Sequence, residues 1–138
     1  EVLGPASLGE MLSSSDVIVL AAPWTPDTDR VLGAREIGQM KRGAALINIA
    51  RAEVMDEDAL ASALASGHLG GAALDVFTEE PLPAASPFWS LPNVILTPHT
   101  SGFRADHWDA VVDLFEDQVR RFEDGRPLLN PVDCAAGY

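Results

Sequence analysis

Three short apolar runs, each followed closely by an ionisable residue, constrain this chain more than any other feature. Residues 44–50 read Ala-Ala-Leu-Ile-Asn-Ile-Ala and end on Arg51. Residues 72–74 run into Asp75 and, five residues later, Glu80. Residues 94–96 run into Thr97, Pro98 and His99. A fourth run, Val-Ile-Val-Leu-Ala-Ala over 17–22, is introduced by Asp16 and is the continuous kind that a parallel sheet buries on both faces. The segments between the runs alternate between helix and turn signals, so the order is strand, helix, strand, helix, strand, loop, strand. That order builds an α/β fold with a parallel sheet and right-handed crossovers. In such a sheet ligands bind beyond the carboxyl ends of the strands. Arg51, Glu80 and His99 are therefore expected along one crevice, where a cation, a carboxylate and an imidazole converge.

The local signals place the helices. Ser7 and Glu10 have capping-box spacing, which predicts a short helix starting there with reciprocal side-chain caps. Pro23 to Thr28 carries two prolines and reads as a turn at a strand's carboxyl end. A weak helical pattern over 34–40 puts Ile37 and Met40 three apart, and Gly43 breaks the chain before the strand over 44–49. Asp56 caps a predicted helix to about Ser66, with Leu60 and Leu64 on its buried side, Glu57 and Asp58 in its first turn, and Gly67 in the left-handed position after it. His68, beside that helix end, reads as a favourable cation there and is given no catalytic role. A long helix over about 104–124 aligns Trp108, Val111, Val112, Phe115, Val119 and Phe122 on one face, with acids early and Arg120 and Arg121 late. Gly125 and Pro127 stop it, and an apolar tail comes after.

Composition narrows the partners. The formal charge is −12, from 21 acidic and 9 basic residues, which argues against a nucleic-acid backbone as partner. The longest apolar stretch, 17–23, is far short of the ~18 residues of a spanning helix, so no membrane is expected. With 47% hydrophobic residues in 138, one domain is the ceiling, and a chain this size buries roughly 68–70% of its unfolded surface. The single cysteine, Cys134, cannot form an internal disulfide, which fits a cytoplasmic setting. The chain begins on Glu1 without a signal-peptide pattern, and its start reads as cut.

An arginine holds a carboxylate by two parallel hydrogen bonds, which makes Arg51 a candidate anchor for an acid. A histidine beside a carboxylate keeps its proton to higher pH and can act as a general acid, which makes His99 and Glu80 a candidate pair. A structural ion pair between Arg51 and Glu80, with His99 as a strand-end residue, is the alternative that spacing alone leaves open.

Met40-Lys41, residues 43–48, Ala50-Arg51, residues 74–77 with Glu80-Pro81, and Thr97-Pro98-His99 together resemble the carboxyl-terminal part of the D-isomer-specific 2-hydroxyacid dehydrogenases over nearly the whole chain. Residues 86–89 and the terminal Gly137-Tyr138 lean towards the glyoxylate and hydroxypyruvate reductase branch. The resemblance implies the second half of a Rossmann-type dinucleotide-binding domain over 1–102, with residues 103–138 as a helix and tail that pack with the substrate domain. It implies hydride transfer between NAD or NADP and a small 2-oxoacid, a homodimer at full length, and no metal. Arg51 would bind the substrate carboxylate, His99 would give its proton to the 2-oxo oxygen, and Glu80 would orient and charge His99. Ala22, Pro23, Ile49, Ala50, Arg51, Asp75, His99 and Gly102 match positions along the cofactor, with Asp75 near the nicotinamide carboxamide. Two departures stand out. Ala52 comes after the arginine where the family has glycine, which strains the loop if that position needs a positive φ. No Gly-x-Gly-x-x-Gly precedes the first strand, so the pyrophosphate turn and the residue that separates NAD from NADP are expected upstream, and this chain alone is expected to be inactive. Formate dehydrogenases carry glutamine where Glu80 stands, which counts against them. A corepressor-like NAD sensor of the same fold is the alternative from another class.

Overall fold

A computed structural model describes residue 2 and residues 4–135. Gly137-Tyr138 lies outside the described residues. The elements are α1 (Leu8–Ser14), β1 (Val17–Leu20), α2 (Ala34–Gln39), β2 (Ala45–Asn48), α3 (Glu57–Ala65), β3 (Gly71–Leu74), β4 (Val94–Leu96) and α4 (His107–Glu123). Three-residue or four-residue 3₁₀ turns lie at Pro5–Ser7, Ala52–Val54 and Pro87–Ser90. The four strands form one parallel sheet in the order β1-β2-β3-β4, so the α/β architecture read from the apolar runs is the one observed. Two compact units divide the chain, Glu1–Ser101 and Gly102–Tyr138.

In the first unit the register lines Ile18, Leu46, Ala72 and Val94 across the sheet, and Leu20, Asn48, Leu74 and Leu96 one step on. Apart from Asn48, both rows join Leu12, Ile37, Leu60 and Leu64 from the helices in one core. α1 packs on α2 and α2 on α3, so the helices make a single layer. That corrects the reading of 17–22 as buried on both faces. Ile18 is buried, but Val17 and Val19 on the opposite face are more than half exposed, as is Ile95 on β4. β1 also stops at Leu20 rather than residue 22, because its partner β2 ends at Asn48 and the Ile49 amide donates to the Leu20 carbonyl as the chains part.

Asp56 caps α3 as its spacing implies, accepting from the Ala59 amide at 2.9 Å. Gly67 takes φ +68 after it, and His68 Nε2 contacts the Ile37 carbonyl at 3.2 Å, tying that corner to α2. The Ser7–Glu10 box does not form. Ser7 sits at φ −97 and ψ 13, still turned from the 3₁₀ start that Pro5 opens, and makes no side-chain cap. An N-cap serine needs extended backbone to reach forward.

Where β3 begins, a Cβ built on Gly70 would lie 2.4 Å from the Gly43 carbonyl oxygen, which is backbone and cannot swing away. Gly70→Ala is expected to destabilise the first unit by roughly 1–3 kcal/mol, the usual cost of overpacking. Urea unfolding measures it, and an unchanged midpoint contradicts the close approach.

In the second unit α4 starts at His107, not 104, because Arg104 and Asp106 are engaged with each other two residues apart, and that carboxylate leaves the helix end uncapped. None of its residues is buried. Gln118 donates to the Leu129 carbonyl and accepts from its amide, folding the tail back along the helix. Among the described residues no helix is long and apolar enough to cross a membrane.

Candidate active site

The site is assembled from the segments that leave the carboxyl ends of three adjacent strands. After β2, the wholly buried Asn48 side chain clamps the turn. Its Oδ1 accepts from the Ala50 amide and its Nδ2 donates to the Arg51 carbonyl, both at 3.0 Å. Sequence reasoning gives Asn48 no role, although a polar residue closing an apolar run is the signal that could have found it. Arg51 is exposed, and its Nη1 donates to the Ala50 carbonyl at 2.7 Å. The expected strain at Ala52 does not arise. Ala52 is buried, opens the Ala52–Val54 turn and is not among the positive-φ residues, so its backbone has no need of glycine.

After β3 the chain reaches Glu80, whose Oε1 accepts from the Phe77 amide at 2.9 Å. Its Oε2 lies 2.9 Å from His99 Nδ1. The hydrogen bond from His99, then that from the Phe77 amide, holds the Glu80 carboxyl below its ordinary range. The imidazole is 46% exposed and the carboxylate 37%, so the pair sits at the surface of a cleft. With Nδ1 engaged by Glu80, Nε2 is the ring nitrogen left for proton exchange with a ligand. His99 itself stands at φ +54, a left-handed conformation that costs about 1–2 kcal/mol outside glycine.

Asp75, at the end of β3, is only 2% exposed. Burial alone would raise its carboxyl, but donors on Ser101, Thr97 and Thr100 outweigh that and hold it far below the ordinary range. The Thr100 and Ser101 amides lie 2.9 and 2.8 Å from its oxygens.

Two cavities meet at the Glu80–His99 pair. One of about 230 Å³ is lined by Arg51, Ala52, Phe77, Glu80 and His99. The other, about 620 Å³, adds Leu82, Trp89 and Leu96 on the far side. Glu80 and His99 are thus bonded, and Arg51 shares a cavity with both. Ile49 is 45% exposed beyond β2 and Ala50 is buried beside it. Ala22 and Pro23 lie exposed beyond β1 and line neither cavity. Gly102 opens the second unit.

Residues 1–101 match the family model described as "D-isomer specific 2-hydroxyacid dehydrogenase, NAD binding domain". The chain belongs to that family. Over 98% of its length it is 38% identical to glyoxylate/hydroxypyruvate reductase A of Photorhabdus laumondii, covering 42% of that protein. Over 91% of its length it is 48% identical to D-3-phosphoglycerate dehydrogenase of Escherichia coli, covering 32% of it. Among solved structures, an NADPH-dependent glyoxylate/hydroxypyruvate reductase of Sinorhizobium meliloti in complex with NADP and sulfate superposes with a TM-score of 0.89 at 38% identity, over 96% of this chain and 43% of that one. A family member of Xanthobacter autotrophicus in complex with NADPH and MES gives 0.89 at 41%, over 96% and 54%. The chain spans less than half the length of the curated relatives it matches. Its Rossmann-type sheet and the Arg51, Glu80 and His99 positions lie within the matched 1–101 segment of this dehydrogenase domain.

Proposed function

We propose that this chain forms the carboxyl-terminal part of an NAD(P)-dependent D-2-hydroxyacid dehydrogenase that reduces a small 2-oxoacid of the glyoxylate or hydroxypyruvate kind. The single observation carrying this is the 2.9 Å His99–Glu80 pair beside a cavity that Arg51 also lines. Arg51 binds the substrate carboxylate through its planar fork. His99 donates the Nε2 proton to the 2-oxo oxygen, and Glu80 stabilises the imidazolium that must be present for that donation. NAD(P)H supplies the hydride when bound. Ala22, Pro23, Ile49, Ala50 and Gly102 hold its nicotinamide end, together with the Arg51 and His99 loops. The exposed, apolar Ile49 beyond β2 suits the face of a flat ring, whereas this sequence contains no Gly-x-Gly-x-x-Gly for the pyrophosphate. In this reading residues 1–102 are the second half of the cofactor domain, residues 103–138 pack with the substrate domain, and the full-length enzyme is a cytoplasmic homodimer.

The reading is tested by assaying the 138-residue chain beside a full-length enzyme that contains it. With glyoxylate or hydroxypyruvate the full-length enzyme should consume NADH or NADPH. The isolated chain should show neither turnover nor tight cofactor binding. It should also self-associate in light scattering, because Trp108, Phe115 and Phe122 on α4 are more than two-thirds exposed and such a stripe is an association surface. A monodisperse 138-residue monomer with micromolar NAD(H) affinity would contradict this division of labour.

A further inference from the structure

Asp75 occupies a position that the family resemblance would assign to cofactor contact, yet its surroundings describe a different task. Its carboxylate is buried, and the donors around it all come from the segment that carries His99. The Thr97 hydroxyl and the Thr100 amide donate to Oδ1, and the Ser101 amide donates to Oδ2. These three bonds take up most of the roughly four lone-pair sites of a carboxylate. They also bracket His99, two residues after the first donor and one before the next. His99 holds φ +54 between them, a conformation that persists only where surrounding contacts enforce it.

We propose that Asp75 is a positioning residue that gathers Thr97, Thr100 and Ser101 onto one buried carboxylate, fixes the left-handed backbone at His99 and so aims its Nδ1 at Glu80. This rests on the reading of His99 as the acid only for its catalytic consequence. The geometric claim stands or falls without turnover.

The decisive variant is Asp75→Asn, because the amide group puts an N–H donor where the Ser101 amide also donates. Glu80 faces His99, the Phe77 amide and, at longer range, the Asp75 charge, which raises its carboxyl. Removing that like charge alone would move the Glu80 titration down. Release of His99 from Glu80 would move it up, towards the ordinary glutamate range. Carbon-13 NMR titration of the Glu80 carboxyl in the 138-residue chain separates the two by sign. We expect an upward shift. In the full-length enzyme we expect kcat to fall about 10²-fold, the cost of misplacing a catalytic group by about 1 Å, with the NAD(P)H dissociation constant changed less than about twofold. A Glu80 titration that is unchanged or moves down overturns the proposal, as does a loss confined to cofactor affinity. If Asp75→Asn fails to fold, Thr97→Val removes one donor and keeps the charge. It should give the same upward shift, and no shift there overturns the proposal equally. An upward shift in an enzyme that reduces no 2-oxoacid would leave Asp75 as the brace and remove only the proposed reaction.

Discussion

In the full-length enzyme His99→Ala is expected to lower kcat by roughly 10²–10⁴-fold, the range for loss of a general acid, with a far smaller effect on substrate KM. The reduction of a 2-oxo group places negative charge on its oxygen, and only a proton already positioned meets that charge as it develops. His99 is the residue proposed to hold it. Its Nδ1 is engaged by Glu80 at 2.9 Å, which leaves Nε2 as the ring nitrogen to carry the donated proton. Alanine also removes a side chain from a left-handed backbone position at φ +54, so His99→Asn is the better-matched control, since asparagine is enriched in that region. Both variants should lose turnover alike. Wild-type turnover in either would take His99 out of the chemistry, and a loss that tracks unfolding in the alanine variant alone would mark it as a backbone residue.

Arg51→Lys should lower kcat/KM roughly 10–150-fold, from the 1.5–3 kcal/mol typical of a hydrogen bond to a charged group. The loss should appear mainly as a higher KM for the 2-oxoacid. Lysine keeps the charge but not the fork. The turn that presents Arg51 should survive the change, because it is made by Asn48 with the backbone of residues 50 and 51, not by the guanidinium. The steady-state parameters decide the matter: unchanged KM and kcat would leave Arg51 a scaffold residue.

The residues legible in the sequence are those whose local rule and tertiary setting agree. Asp56 is one, since a carboxylate before an amphipathic run can satisfy the helix end without help from elsewhere. The strand runs ending near Arg51, Asp75 and His99 are others, because a parallel sheet aligns successive carboxyl ends whatever lies between. Ser7 fails the same rule because Pro5, two residues earlier, has already turned the backbone. The exposed faces of Val17 and Val19 are illegible because an apolar run records what a strand can bury, not which layers are there to bury it. Local sequence marks Asp75 as a strand-end carboxylate and nothing more. Its partners at residues 97, 100 and 101 are more than twenty positions away, and no periodicity carries that distance. The same holds for Asn48, whose importance lies in two backbone groups that only the turn after β2 brings to it.

Whether Arg51, Glu80 and His99 serve hydride transfer to a 2-oxoacid is decided by deuterium transfer. Full-length enzyme containing this chain is incubated with hydroxypyruvate and NADH or NADPH carrying two deuterons at the nicotinamide C4, and the product is analysed for label and configuration. The expected product is D-glycerate carrying deuterium at C2, formed by the wild-type enzyme and all but absent with His99→Ala. Unlabelled product, the L-isomer, or an equal rate of labelled product with the His99 variant would contradict the assignment.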